Sequence, residues 1–225
     1  MDREAWLNER RAAVVADYDR DAAGYDDDPY ATATHRAFVD RLVATVPAGG
    51  LVLDAPCGTG QYFPRIRDAG RRVVGIDQSA GMLQQAEVRG LAERLEQLGL
   101  QEMAFEREFD GAITVDGMEH IPPEDWPTVL ANLVRAVRPG ARLYLTVEES
   151  DDEAIDAAIA ALQDRGTPAV RGEVIEGDSG GYHYYPGRRR VIDWLAGARL
   201  EIVVEATDAM DGWGYWHLLL QTPRS

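Results

Sequence analysis

The chain has 225 residues, of which 45% are hydrophobic and 28% are charged, and this length is enough for one sizeable hydrophobic core. All 23 basic residues are arginine, so the sequence excludes chemistry that needs a lysine amine, such as Schiff-base formation. The formal net charge of −16 disfavours binding to nucleic acid or to an anionic membrane surface, and it favours neutral or cationic small molecules.

Metal and membrane functions find no support in the residue pattern. Cys57 is the single cysteine, and the four histidines show no metal-ligand spacing, so we expect no metal site. No apolar run reaches the roughly 20 residues of a membrane span, and the first residues lack the pattern of a signal peptide. We therefore expect a cytoplasmic protein without a membrane partner.

The first 45 residues predict a helical lid in two pieces, with apolar stripes at 6–15 and 38–43 on either side of an acidic segment. Short apolar strands then alternate with helices: we predict strands at 51–53, 72–76, 111–115 and 141–147, and helices at 62–68, 79–98 and 125–137. A helix at 151–165, an aperiodic insertion at about 166–187, a helix at 188–196 and an antiparallel hairpin at 200–206 and 215–221 complete the chain. This alternation is typical of parallel βαβ units, so the sequence predicts a doubly wound α/β domain over 46–225 behind a lid over 1–45.

Two acidic residues end the first two predicted strands. Asp54 is followed by a glycine-rich turn that differs from the dinucleotide fingerprint, and its carboxylate would repel a pyrophosphate. Asp77 ends the next strand, where an acid usually binds ribose hydroxyls. Together the two acids indicate a ligand with a ribose, a cationic end and no phosphate, and S-adenosylmethionine (SAM) has these parts.

The ordered set of motifs from about residue 15 onward resembles the class I SAM-dependent methyltransferases of small-molecule type. Residues 54–60 resemble the family motif D-x-G-x-G-x-G, with Pro56 in place of the first glycine, and Asp77 matches the ribose-binding acid. The segments 109–113 and 134–140 match the fourth strand and the turn before the fifth. The resemblance implies a Rossmann-like, seven-stranded sheet with an antiparallel last strand, helices on both faces, and SAM as cofactor.

The same resemblance implies a set of cofactor-binding residues. The third-strand segment at 98–103 lacks the acid that the family often has, so Leu100 and Gln101 are expected beside the adenine. Two structural alternatives stay open: Asp77 only caps a helix together with Ser79, and Cys57 is a loop residue without a role in binding. The implied set is Tyr18, Tyr25, Asp54, Ala55, Pro56, Cys57, Gly58, Gly60, Asp77, Gln78, Met82, Leu100, Gln101, Asp116, Gly117 and Met118.

The methyl acceptor is expected beyond the carboxyl ends of the strands. His120 is the first candidate for a general base and His183 the second, because an unperturbed histidine titrates near neutral pH. A purely structural role for His120 is the alternative. Aromatic residues outside the core predict walls for a planar or apolar acceptor, with simple lid packing as the alternative, and they are Tyr30, Tyr184, Tyr185 and Trp213.

We therefore predict methyl transfer from SAM to an oxygen or a nitrogen of a small molecule. The segment 115–123 lacks the N/D-P-P-Y/F signature of methyltransferases that act on the exocyclic amines of nucleobases, in agreement with the absence of a nucleic-acid partner. A homodimer is compatible with the sequence. Two alternatives stay open: a SAM-binding protein of the same fold that catalyses a cyclisation, and a regulatory binding module with a degenerate site.

Overall fold

The computed structural model describes residues 2–27, 31–176, 181–210 and 212–224. Within these residues the strands are β1 (Leu51–Asp54), β2 (Arg72–Asp77), β3 (Arg94–Gln97), β4 (Phe109–Thr114), β5 (Val137–Ser150), β6 (Glu173–Glu176), β7 (Gly181–Tyr184), β8 (Glu201–Ala209) and β9 (Trp213–Gln221). The α-helices are α1 (Arg3–Asp21), α2 (Ala33–Thr45), α3 (Phe63–Asp68), α4 (Ala80–Arg89), α5 (Trp126–Ala136), α6 (Asp152–Asp164) and α7 (Arg188–Gly197).

The main sheet has seven strands in the order β3-β2-β1-β4-β5-β9-β8. Strands β1 to β5 pair in parallel, whereas β9 runs antiparallel to both of its neighbours, β5 and β8. This confirms the predicted doubly wound sheet with an antiparallel last strand. Because β1 lies between β2 and β4, the strand order reverses there, and the carboxyl ends of these strands form the crevice where α/β sheets bind ligands.

Alternation along the strands places an apolar layer on each face of the sheet. On β5, Leu143 and Leu145 belong to one core together with α5 and α7, while the intervening Tyr144 belongs to the other core. Phe38 and Leu42 of α2 pack in that second core. Helix α2 is therefore a layer of the domain, and the predicted lid over 1–45 combines this core helix with the covering segment α1.

Two predicted elements differ from the observed ones. The predicted helix over 79–98 is wrong, because α4 ends at Arg89 and Gly90 takes the left-handed conformation (φ +63°) that terminates helices. The chain then forms the edge strand β3. The insertion at 166–187, predicted to be aperiodic, contains a separate two-stranded antiparallel sheet in which Glu173 of β6 is paired with Tyr184 of β7.

Charged side chains attach the N-terminal segment to the carboxyl edge of the sheet. The carboxylate of Asp19 accepts hydrogen bonds from the Ser79 hydroxyl (2.6 Å) and the Gly81 amide (2.8 Å) at the start of α4. Further on, Asp26 accepts a bond from the Thr59 hydroxyl at 2.7 Å. Helix α1 and the 3₁₀ turn Ala22–Asp27 therefore cover the glycine-rich loop. Among the described helices, none has the length and apolar character needed to cross a lipid bilayer.

Candidate functional site

A cleft lies at the carboxyl ends of β1, β2 and β4, beneath the N-terminal segment. It brings together most of the predicted cofactor-binding residues, namely Tyr18, Tyr25, Pro56, Cys57, Gly58, Asp77, Gln78, Met82, Leu100, Gln101, Asp116 and Gly117. The sequence analysis missed Thr59, Gln61, Tyr62, Leu98, Gly99, Val115 and Ile121 in the same wall. Each of these is next to or close to a predicted residue in the chain, so adjacency to the motifs was the available signal.

Four predicted cofactor residues do not line this cleft. Asp54 and Ala55 are buried where β1 enters the loop, and Met118 is fully buried in the core. Gly60 packs against the ring of Phe63, and any side chain at this position would collide with that ring. Its φ of +78° also favours glycine. These residues lie behind the wall of the cleft, and their assignment as cofactor-binding residues stays a prediction.

Asp77 is held in a fixed orientation by two backbone amides. One carboxylate oxygen accepts from the Gly58 amide at 2.9 Å, and the other accepts from the Ser79 amide at 2.8 Å. A carboxylate has about four acceptor sites, so both oxygens keep capacity toward the cleft. Burial raises the pKa of Asp77. The start of α4 is capped by the Ser79 hydroxyl, which accepts from the Met82 amide at 3.0 Å, so Asp77 is not needed as the side-chain cap.

The glycine-rich loop presents backbone to the cleft. Gly58 has φ +50°, and no atom lies within 4 Å of the position that a side chain would occupy. Pro56 stands where the motif usually has glycine, and its ring packs so closely on Gly117 that a side chain at residue 117 would collide with it. The departure at Pro56 is therefore accommodated by a glycine on the opposing loop.

Asp54 is a buried carboxyl group without a hydrogen-bond partner among the described residues. Its side chain is 1% exposed, and neither carboxylate oxygen has a hydrogen-bond partner among the described residues. Burial, followed by the nearby Asp77, raises the pKa of Asp54 well above its usual range. A cation bound nearby would stabilise the charged form of this buried carboxyl group.

A second cavity, which we call the acceptor cavity, adjoins the cleft and has a volume of about 990 Å³. It shares Tyr18, Tyr25, Asp116 and His120 with the cleft. The rest of its wall comes from α1, β5 and β9, the region of β7 and the adjoining loops, and consists of Val14, Asp17, Arg20, Asp21, Gly24, Glu119, Glu148, Ser150, Gly181, His183, Tyr185, Gly212, Trp213 and Tyr215.

The predicted acceptor residues divide between this cavity and the core. Tyr185 and Trp213 line the acceptor cavity. The prediction for Tyr184 is wrong, because its side chain is fully buried, packs near Trp194 and accepts a hydrogen bond from Arg190 at 2.5 Å. Tyr184 lies on the face of β7 that turns toward the core. The predicted Tyr30 is outside the described residues.

His120 lies at the border of the two cavities with both ring nitrogens engaged. Its Nδ1 lies 2.9 Å from the carbonyl oxygen of Tyr182, which can only accept, so Nδ1 carries the proton. Its Nε2 therefore accepts from the Tyr18 hydroxyl at 2.7 Å. Burial lowers the pKa of His120 and raises that of Tyr18. The ring is thus neutral at neutral pH and is connected to the cavity through the phenol of Tyr18.

The other predicted base, His183, has a less suitable environment. It lines the acceptor cavity, and its ring centroid lies 4.8 Å from that of His120. Burial and the neighbouring His120 lower the pKa of His183 to about 3. A base with so low a pKa accepts protons poorly at neutral pH, so this environment favours His120.

A buried polar cluster lies in the core between α2 and the β8–β9 hairpin. His35 of α2 and two residues of the β8–β9 hairpin, Asp208 and His217, each place a possible ligand atom within 4.8 Å of the others. Protein hydrogen bonds already occupy much of the cluster: the Thr32 amide donates to His35 Nδ1 (3.1 Å), the Thr32 hydroxyl donates to Asp208 (2.5 Å), and the Tyr144 hydroxyl contacts His217 Nδ1 (2.8 Å). We interpret the cluster as a network that fastens α2 to the hairpin.

The chain is similar to known methyltransferases in sequence and in fold. Residues 52–140 match a family described as a methyltransferase domain. The human methyltransferase-like protein 27 is 32% identical over 166 residues, which cover 66% of this chain and 65% of that protein. Among three curated relatives that include this one, the chain spans 50–65% of their length, so what those proteins act on is not carried over.

Two solved structures illustrate the similarity in fold. The 1,6-didemethyltoxoflavin-N1-methyltransferase of Burkholderia thailandensis superposes with a TM-score of 0.71 at 19% identity, covering 96% of this chain and 90% of that one. The [4+2]-cyclase SpnF superposes with a TM-score of 0.65 at 15% identity, covering 95% and 94%. Residues 52–140 therefore match the methyltransferase-domain family, and the sheet order, the glycine-rich loop and the acid that ends β2 give the chain the fold of the class I S-adenosylmethionine-dependent methyltransferases.

Proposed function

We propose that this protein transfers the methyl group of SAM to an oxygen or a nitrogen of a small molecule bound in the acceptor cavity. The observation that carries the proposal is the junction between the two cavities. Tyr18, Tyr25, Asp116 and His120 line both of them, so a reactive group held in the cleft and an acceptor held in the cavity would meet at these side chains.

The residues of the cleft fit SAM. Asp77 has free acceptor capacity for ribose hydroxyls, and the open backbone at Gly58 allows close approach of the ligand. Leu100 and Gln101 would contact the adenine, and Tyr18 would lie at the methionine end. The unpaired carboxylate of Asp54 favours a cationic ligand close by. When bound, SAM supplies a methyl group that is already activated by its sulfonium.

The protein then has to position the acceptor, exclude water and, for an acceptor that holds its proton at neutral pH, remove that proton. The pair Tyr18–His120 suits this last task. As the acceptor loses its proton to the Tyr18 oxygen, the Tyr18 proton moves to His120 Nε2, and the hydrogen bond to the Tyr182 carbonyl keeps the ring in place. The volume of about 990 Å³ agrees with an acceptor of small-molecule size.

A labelled-methyl assay tests this proposal. The protein is incubated with SAM that carries a labelled methyl group and with panels of small phenols and amines, and both labelled product and S-adenosylhomocysteine (SAH) are quantified. We expect product and SAH in equal amounts, and we expect both to be lost in Asp77→Ala. Conversion of an acceptor without SAH formation would instead favour cyclisation, and failure to bind SAM would favour a regulatory module.

A further inference from the structure

The acceptor cavity has an excess of negative charge that its own arginine does not balance. Five carboxylate side chains line the cavity, and the one arginine among its described wall residues is Arg20. The Arg20 guanidinium is already paired with Asp17 at 2.8 Å and with Asp21 at 3.0 Å near the rim. Asp116 and Glu119 also line the cavity, and among the described residues no arginine lies within ion-pair distance of either.

Glu119 is the more buried of these two acids. It is 4% exposed, and its Oε2 has no hydrogen-bond partner among the described residues. Burial, with contributions from Glu148 and Asp116, raises the pKa of Glu119 well above its usual range. Asp116 has φ +49°, a left-handed conformation that is unfavourable for a residue with a side chain, and this conformation holds it at the border of the two cavities.

The histidines near Glu119 do not supply a positive charge to it. His120 Nε2 lies 3.7 Å from the nearest carboxylate oxygen of Glu119, and the ring centroid of His183 lies 4.8 Å from that of His120. Burial lowers the pKa of both rings, that of His183 to about 3, so both are neutral at neutral pH. Asp116 has a histidine neighbour of its own, His35, at 3.4 Å. A cationic ligand beside Glu119 would therefore stabilise its carboxylate form, which the described wall does not.

Aromatic rings complete the environment of such a ligand. Tyr18 and Tyr25 pack with ring centroids 5.9 Å apart on one side, and Trp213 and Tyr215 pack edge to face at 5.4 Å on another. All four line the acceptor cavity. Aromatic faces attract cations and also bind planar apolar groups. Carboxylates and aromatic rings together match a positively charged amine on an apolar skeleton better than a neutral phenol or alcohol.

We propose that the methyl acceptor is a protonated amine carried by an aromatic or apolar skeleton, and that Glu119 binds its ammonium group while the Tyr18–His120 pair takes its proton. This rests on the proposed methyl transfer and narrows its acceptor to nitrogen. The ammonium N–H bond breaks and its proton goes to the Tyr18 oxygen, while the Tyr18 proton moves to His120 Nε2. The nitrogen lone pair then forms a bond to the methyl carbon, while the carbon–sulfur bond breaks and its electron pair stays on sulfur. The products are a methylated ammonium ion and SAH, and the total charge is unchanged.

Matched pairs of probes test the acceptor class without knowledge of the natural substrate. Benzylamine is compared with benzyl alcohol, and tryptamine with tryptophol, by calorimetric titration into protein saturated with SAH at neutral pH. We expect each amine to bind at least about tenfold more tightly than its alcohol, the scale of a charge-assisted hydrogen bond. In Glu119→Gln, which keeps the size but removes the charge, we expect this advantage to fall below about threefold.

Glu87→Gln makes the same chemical change at an exposed site on α4, away from the acceptor cavity, and should keep the full preference for amines. Asp116→Asn provides a second variant in case Glu119→Gln does not fold, which SAH binding reports. Equal binding of amines and alcohols, no amine binding, or a preference that survives both variants would overturn the amine assignment. If the unaltered protein did not bind SAH at all, the proposed methyl transfer itself would be overturned.

Discussion

At the scale of single residues, His120 connects the cofactor cleft to the acceptor cavity. Its Nε2 accepts the Tyr18 hydroxyl proton, and its Nδ1 is fixed by a backbone carbonyl, so the ring is oriented to accept a proton through Tyr18. We expect His120→Ala to slow methyl transfer by about 10²-fold, the usual contribution of a general base. The measurement is the rate of labelled-methyl transfer at saturating SAM as a function of pH.

The pH profile separates a role in proton transfer from a structural one. Burial lowers the pKa of His120, so the rate of the unaltered protein should fall only as the pH drops below the ordinary histidine range, and this limb should be missing in the variant. A loss below about tenfold, or a larger loss in His183→Ala, would contradict the assignment to His120.

Asp54 and Asp77 show how far strand-end positions could be predicted from the sequence. Both acids follow apolar runs, so their location at the carboxyl edge of a parallel sheet is predictable from the pattern alone. Only Asp77 lines the cleft, because the Gly58 and Ser79 amides orient it, while Asp54 is buried behind the wall. Side-chain direction depends on how loop and helix pack around the strand end, and a local pattern does not contain that information.

At the scale of elements, α1 is fastened to the small β6–β7 sheet by a buried ion pair. Arg3 at the start of α1 contacts the fully buried Glu173 at 2.6 Å, and the Tyr182 hydroxyl donates to the same carboxylate at 2.7 Å. Arg3→Ala would leave a buried charge without its cation, so we expect a loss of about 3 kcal/mol in the free energy of unfolding. Chemical denaturation monitored by fluorescence measures this change.

Arg189→Ala is the matched control, because it removes an arginine that is exposed on α7. We expect its effect to stay within about 0.5 kcal/mol, as is usual for surface substitutions. If Arg3→Ala were no more destabilising than Arg189→Ala, the claim that the Arg3–Glu173 ion pair holds α1 against the β6–β7 sheet would be contradicted.

The elements that the sequence analysis missed have a common physical cause. Strand β3 is a polar edge strand whose residues are partly or fully exposed, so it lacks the apolar alternation by which the inner strands were found. In the β6–β7 sheet, a buried glutamate takes the place of an apolar side chain, and its arginine partner lies 170 residues away in the chain. Neither a polar edge nor a distant ion pair leaves a local periodic signal.

At the scale of the whole molecule, the net charge of −16 bears on the class of ligand, and the sheet topology bears on where that ligand binds. The acidic character disfavours polyanions and is concentrated in part at the acceptor cavity, whose described wall has five acids and one arginine. The strand order brings the ends of β1, β2 and β4 together, so residues from separate motifs meet at one cleft. The doubly wound sheet could be predicted from the alternation of elements, whereas the charge of the cavity emerged only from tertiary packing.

The most direct test of the account is calorimetric titration of SAH into the protein and into Asp77→Asn. This substitution keeps the shape of the side chain but removes the charge that would bind the ribose hydroxyls, so we expect affinity to fall by about 1–3 kcal/mol, or roughly tenfold to a hundredfold. Asp68→Asn at the exposed end of α3 serves as the control and should bind SAH like the unaltered protein. Unchanged affinity in Asp77→Asn would contradict the assignment of this cleft as the SAM site.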